Sequence, residues 1–280
     1  KTMISSSRSS AQSLSSRPVD QAQGLRQMFA ARVLRFVPVV ANSAAAPYGG
    51  VVLERLCTAY AAMGLHTLVV DASEQARAPG ELAQFDLTEG IEPLSSDVAY
   101  LAARGLPLKY ADARGSCSTF MDAVADAAPQ CDVVLVHASA SELVRVFGER
   151  AKAHNLRPLV FSDDRPEGLT SAYAGVKLMS QRARWMAYDL LVCALPQSDR
   201  ADAIGQRLAQ CADSFLGVAQ RQCVRINPHE PSSLDPGPGF VELAAGLLQC
   251  ALPHTLGDSA FDHLVSPGAA LPSRMAPVLN

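Results

Sequence analysis

The sequence is short of several things whose presence would settle its class at once. Aromatic residues make up 6% of the 280 positions, with a single tryptophan, and charged residues only 18%. Neither sign of charge is in excess: 24 Lys and Arg stand against 27 Asp and Glu, for a net charge of −3. A polyanion binder shows a basic surplus or a basic stripe, so no nucleic-acid partner is expected. The seven cysteines are odd in number and contain no C-x-x-C pair, which argues against a disulfide scaffold and a zinc site and for reduced thiols. The six histidines show no metal-ligand spacing, and neither an H-E-x-x-H nor a G-x-S-x-G motif occurs. No apolar run approaches the ~18 residues of a membrane span, and the N-terminal stretch lacks a signal-peptide core. The expectation is a soluble, cytoplasmic protein without a metal.

What is present is apolar and α/β in pattern. Hydrophobic residues are 49% of the chain, enough to bury roughly 70–75% of the unfolded surface at this length. Residues 1–18 form a polar, Ser-rich tail, 19–30 a short helix, 31–252 the folded domain, and 253–280 a second tail without a period. Apolar strand candidates fall at 33–41, 67–71, 133–136, 159–161 and 190–193. Helices are expected near 51–63, 119–128, 141–153, 169–184, 200–215 and 239–251. In the first helix, apolar residues at 52, 56, 59, 60 and 63 form one stripe, and Gly64 follows where a left-handed residue is wanted. Near-continuous apolar strands separated by helices predict a single doubly wound, mostly parallel sheet with helices on both faces. The segment 83–112 is weakly patterned and receives no element.

In such sheets ligands bind at the carboxyl ends of the strands, and the loop after the first strand is the usual phosphate cradle. Here that loop reads NSAAAPYGG, residues 42–50. A working cradle needs free backbone N–H groups, a lysine for the phosphates and a hydroxyl for magnesium. This loop has three alanines, a proline without an N–H, a tyrosine and no lysine, and it reads as an ordinary strand–helix connection. His137, ending its strand, is read as a solvated or hydrogen-bonded loop residue and not as a general base. Asp71 ends a strand with no lysine or hydroxyl opposite and is read as an isolated carboxylate. The pair Asp163 and Asp164 is read as capping a turn before Pro166.

Four passages together resemble the MinD/ParA family of deviant P-loop ATPases, and within it the FlhG (FleN) branch. They are DQAQGLR from Asp20, AYAAMGLHTLVVDAS from Ala59, CDVVLV from Cys131 and PEGLTSAYAGVK from Pro166, in the family's order. The resemblance implies a MinD-like fold and, in the family, ATP and magnesium bound between two subunits. It also shows where this chain departs. Counting back without gaps from Gly64, Ala44 stands at the lysine that reaches across the family's dimer. Gly49 stands at the phosphate lysine and Gly50 at the magnesium-binding hydroxyl. His137 takes the place of an aspartate and Cys193 that of the adenine-reading asparagine; only Asp71 persists. The implied chain is a pseudo-ATPase with no nucleotide cofactor and no catalytic residue, either a monomer or a nucleotide-independent dimer. A diverged but still ATP-binding enzyme, and an accessory protein of a non-flagellar system, are the alternatives.

The N-terminal helix admits two readings. Asp20 is a good N-cap with Gln23 three residues on, and Ala22, Leu25, Met28 and Phe29 form a narrow apolar stripe. It either docks on its own domain or is presented to a partner. By the resemblance, Asp20, Gln21, Ala22, Leu25 and Arg26 would engage an FlhF-type GTPase, with other flagellar assembly proteins as further partners. The helix at 239–251 has no Lys or Arg on its polar face, so it is read as a packed helix and not as a membrane-binding one.

Overall fold

The two-residue period of a strand decides which side chains meet which helices, and here it divides the core cleanly in two. The protein is described as a computed structural model over residues 32–231 and 236–256. The segment holding Asp20, Gln21, Ala22, Leu25 and Arg26 lies outside the described residues, as do 1–18 and 257–280.

The chain runs β1 (Arg32–Val40), α1 (Gly49–Ala62), β2 (Thr67–Asp71), β3 (Ile91–Pro93), β4 (Val98–Ala102), α2 (Thr119–Ala127) and β5 (Val133–Ala138). It continues through α3 (Ala140–Phe147), β6 (Leu159–Asp163), α4 (Pro166–Ala183), β7 (Ala187–Cys193), α5 (Arg200–Leu216), β8 (Ala219–Ile226), α6 (Pro238–Gln249) and β9 (Leu252–Leu256). The sheet order is β3-β4-β2-β5-β1-β6-β7-β8, with β9 pairing β1. β1, β2 and β4 to β8 run parallel, and β3 is antiparallel to β4. The expected α/β class and mostly parallel sheet are therefore present.

In β1, β2, β5, β6 and β7 the even-numbered residues, among them Leu34, Phe36, Leu68, Val134, Val160 and Leu190, pack with α2, α3, α4 and α5, and the register reverses this parity in β4 and β8. Odd-numbered ones, such as Val37, Val39, Val69, Leu135, Phe161 and Leu191, pack with α1 and α6. Both faces of the central strands are buried, which is why they read as unbroken apolar runs. Gly64 is at φ +74°, the left-handed conformation expected of it after α1. Ser139 and Glu142 close a reciprocal capping box at the start of α3.

The differences from the sequence reading lie at the sheet's margins. β3 and β4 occupy part of 83–112; β3 has three residues, one of them Pro93, and β4 (VAYLA) is a short apolar strand, mostly half-buried, that the sequence reading passed over. β8, AQRQCVRI, is an edge strand with its arginines exposed, and it pairs β7 with a register shift between Tyr188 and Leu190. β9 extends the sheet to Leu256, so the expected boundary at 252 falls inside a strand. Among the described residues no helix is long and apolar enough to cross a membrane.

Candidate functional site

At the carboxyl ends of β1, β2, β5 and β6 lies a cavity of about 210 Å³, closed on one side by the start of α1. This is the crevice of an open parallel sheet where chain connections diverge to either side of β1, the usual ligand position. Ser43, Gly49, Gly50, Asp71, Ser73 and His137 are among the residues that line it.

The loop before α1 is held from inside. Residues Ser43–Tyr48 form a 3-10 turn. Asn42, buried, accepts hydrogen bonds on Oδ1 from the Ala44 and Ala45 N–H groups at 3.1 and 3.3 Å. Its Nδ2 donates to the Phe161 carbonyl at 2.8 Å and the Gly168 carbonyl at 3.0 Å. The Gly49 N–H turns back to the Ala46 carbonyl. The Ala44, Ala45 and Gly49 amides are thus engaged within the loop and are not offered to an external anion as in a nest. Arg165, at the start of α4, is also turned to structure: its guanidinium pairs with Asp163 and donates to the Ala44 carbonyl at 2.7 Å. The Asp163 carboxylate also accepts the Arg165 N–H, so it caps this turn as the sequence suggested.

Asp71 is not an isolated carboxylate, a correction to the sequence reading. His137 Nδ1 lies 2.9 Å from its Oδ1, Tyr100 Oη donates to its Oδ2 at 3.3 Å, and the Ser73 N–H donates to Oδ1 at 3.1 Å. Burial acts to raise the Asp71 pKa, but the hydrogen bond and charge of His137, with help from Ser73, outweigh it and hold the carboxyl below its usual range. Burial, reinforced by Asp71, pushes the Tyr100 hydroxyl up to about 12, so it stays a donor. His137 is likewise a strand residue and 95% buried, not a loop residue (relative exposure 5%). Its Nε2 has no hydrogen-bond partner, and neither has the buried Ser73 Oγ.

Of the six residues read as a degenerate nucleotide pocket, the fold brings Gly49, Gly50, Asp71 and His137 to the cavity. Ala44 is placed beside Arg165 instead. Cys193 is buried in the α1 and α6 face of the core, its thiol pushed up to about 12 by burial. Sequence reasoning did not single out Asn42, Tyr100, Ser73 or Phe161. Asn42 alone had a usable signal, an Asn directly before a helix start.

No protein-family model matches the chain. No curated protein matches it. Among solved structures, a plasmid partition protein from Borrelia burgdorferi bound to AMPPNP superposes with a TM-score of 0.50, at 9% identity, over 78% of this chain and 97% of that one. The two share a fold. A ParA family ATPase from Chlorobium tepidum is similar at 13% identity, TM-score 0.46, over 77% and 94% of the two chains. The Aquifex aeolicus MinC:MinD cell division complex is similar at 12% identity, TM-score 0.45, over 86% and 98%. Within this fold the Asp71–His137 cavity lies beside the loop that follows the first strand.

Proposed function

We propose that this chain is a regulatory protein of ParA/MinD-type fold that neither binds nor hydrolyses ATP and acts through protein contacts. The observation that carries the reading is the chemistry of the loop and cavity after β1. A triphosphate with magnesium needs cationic side chains and free amides to offset its charge. The cavity is lined by two carboxylates, Asp71 and Glu74, and by no lysine or arginine. The loop amides bond to Asn42 and Ala46, and the volume is below the ~300–1,000 Å³ typical of small-molecule sites. The residues present do not fit the nucleotide, and no catalytic step is derived through it.

The partner is proposed from the N-terminal motif and the FlhG resemblance: an FlhF-type GTPase engaged by Asp20, Gln21, Ala22, Leu25 and Arg26, in control of flagellar number and placement. Gln21 can offer a donor and acceptors to the partner's reacting water or phosphate, Leu25 an apolar anchor, and Arg26 a charge for an acidic rim. Without nucleotide to clamp two subunits, the chain acts as a monomer or a nucleotide-independent dimer.

Two measurements test this. Calorimetric titration of the full chain with ATP and magnesium should give no saturable heat; a sub-millimolar dissociation constant (a binding free energy beyond about −4 kcal/mol) rejects the pseudo-ATPase reading. Addition of the chain to an FlhF-type GTPase should stimulate GTP hydrolysis, and Gln21→Ala or Leu25→Ala should remove the stimulation with the melting temperature unchanged. No stimulation by the wild type rejects the flagellar assignment.

A further inference from the structure

At the opposite end of the sheet, below the amino ends of β6, β7 and β8, lies a second cleft of about 630 Å³. Its lining holds Lys152, His154, Arg157, Arg184 and Arg221, and no carboxylate. In a chain of net charge −3 this is a local reversal of sign.

The cations differ in how they are occupied. Arg157 serves the fold: its Nη2 donates to the Gly246 carbonyl at 3.1 Å, and its Nε lies 3.3 Å from the fully buried Asp189 carboxylate. Lys152 makes an exposed pair with Glu149 three residues away, a contact of little strength. The guanidiniums of Arg184 and Arg221 make no hydrogen bond or close ion pair among the described residues, and the two line the cleft from different elements. Burial raises the pKa of Asp189, and Arg221 lies near enough to help hold it down.

Two further observations point to a ligand. Arg184 ends α4 at φ +59°, and it is the one non-glycine with a left-handed backbone among the described residues. Glycine or asparagine suits that position without strain; an arginine there places a guanidinium at the cleft at a conformational cost. Trp185 follows, 95% buried (relative exposure 5%), with its ring edge-on to Phe147 and its indole N–H without an acceptor. Trp185 is also part of the cleft wall, so the cleft is bounded by a large aromatic ring beside its two guanidiniums.

We propose that this cleft binds a small organic dianion, an apolar body carrying a phosphate or paired carboxylates. The acidic end is held by Arg184 and Arg221, Trp185 forms part of the wall, and the body lies along Leu156 and Met186. Planar guanidiniums bind such oxyanions in two-point fashion. The volume lies in the range of small-ligand sites, and the site is concave, unlike the open face that tracks a nucleic-acid backbone.

Trp185 is the only tryptophan in the sequence, so its emission reports on this cleft alone. The full chain is titrated with phenyl phosphate, phthalate and phenol while Trp185 fluorescence is followed. Phenyl phosphate or phthalate should give a saturable change below about 1 mM, the stronger of the two identifying the acidic group, and phenol should give none. Arg184→Gly and Arg221→Gln should each weaken binding about tenfold, with the Arg184→Gly melting temperature equal or higher because strain is removed. No saturation by either anion, equal response to phenol, or unchanged affinity in both variants overturns the proposal. So does saturation by a short DNA duplex that phenyl phosphate cannot displace, which would make the face a nucleic-acid contact.

Discussion

Asp71 and His137 stand opposite each other in the parallel register of β2 and β5, both on the odd-numbered face, with Nδ1 2.9 Å from Oδ1. Register and parity together force the contact, because adjacent in-register strands bring same-face side chains within reach. Since the folded Asp71 pKa is depressed, its ionised form contributes stability above the unfolded value of about 3.9, and that contribution is lost as pH falls through the lower folded value. Asp71→Asn should therefore be less stable than wild type at neutral pH by about 1–3 kcal/mol. The gap should close below about pH 4. Urea unfolding of both proteins across pH 2–7 reads this out; a gap independent of pH would assign the loss to packing alone.

Asn42 closes the loop with four hydrogen bonds, two accepted and two donated, to β6, α4 and its own turn. Removing a buried polar partner leaves its neighbours desolvated and unpaired, a cost of about 1–3 kcal/mol for each unmatched group, partly recovered by water. Asn42→Ala should lower stability by about 2–4 kcal/mol and loosen the start of α4. The check is a denaturation midpoint together with hydrogen exchange at Ala44 and Ala45, which should accelerate well beyond the global opening rate.

Tyr60 is fully buried in α1, with its hydroxyl donating to the Ala244 carbonyl of α6 at 3.3 Å. It ties the two helices of the odd-numbered face together. Tyr60→Phe should cost about 1 kcal/mol, the net worth of one hydrogen bond with the orphaned carbonyl included, whereas Tyr60→Ala should cost about 3–5 kcal/mol from the cavity. Equal losses for the two variants would mean that the ring contributes nothing to the packing of α1 on α6.

The central strands were legible because burial on both faces leaves no polar residue to interrupt them. TLVVD and VVLVH each ended where the sequence placed the site. What was not legible was relative position. Nothing in either string says that Asp71 and His137 share a register, so each read as solitary. Tyr100 was missed with β4, whose half-buried residues have no clean period. β8 was missed because its exposed face carries Arg221 and Arg225 and its half-buried face Gln220 and Gln222, so no apolar run marks it. The loop's lack of lysine was plain from the sequence, whereas its inward-turned amides depend on Asn42 contacts 119 and 126 residues away.

The adjacent glycines of α1 differ in what surrounds them, and this gives a test of how tightly the imidazole packs there. A Cβ on Gly49 would stand 3.1 Å from His137 Cε1 and 3.7 Å from Phe161 Cζ, while one on Gly50 would meet nothing within 4 Å. The imidazole thus fills the space that a side chain at 49 would need. Gly49→Lys should cost about 1–3 kcal/mol through overpacking, and Gly50→Thr should stay within about 0.5 kcal/mol of wild type. His137→Asp removes the ring and sets a second carboxylate beside Asp71, where two like charges repel. A lysine at 49 then has both room and two partners. In a double-mutant cycle, Gly49→Lys with His137→Asp should be more stable than the sum of the single changes by about 1 kcal/mol or more. An additive cycle would mean that the imidazole and a side chain at 49 do not compete for the same space.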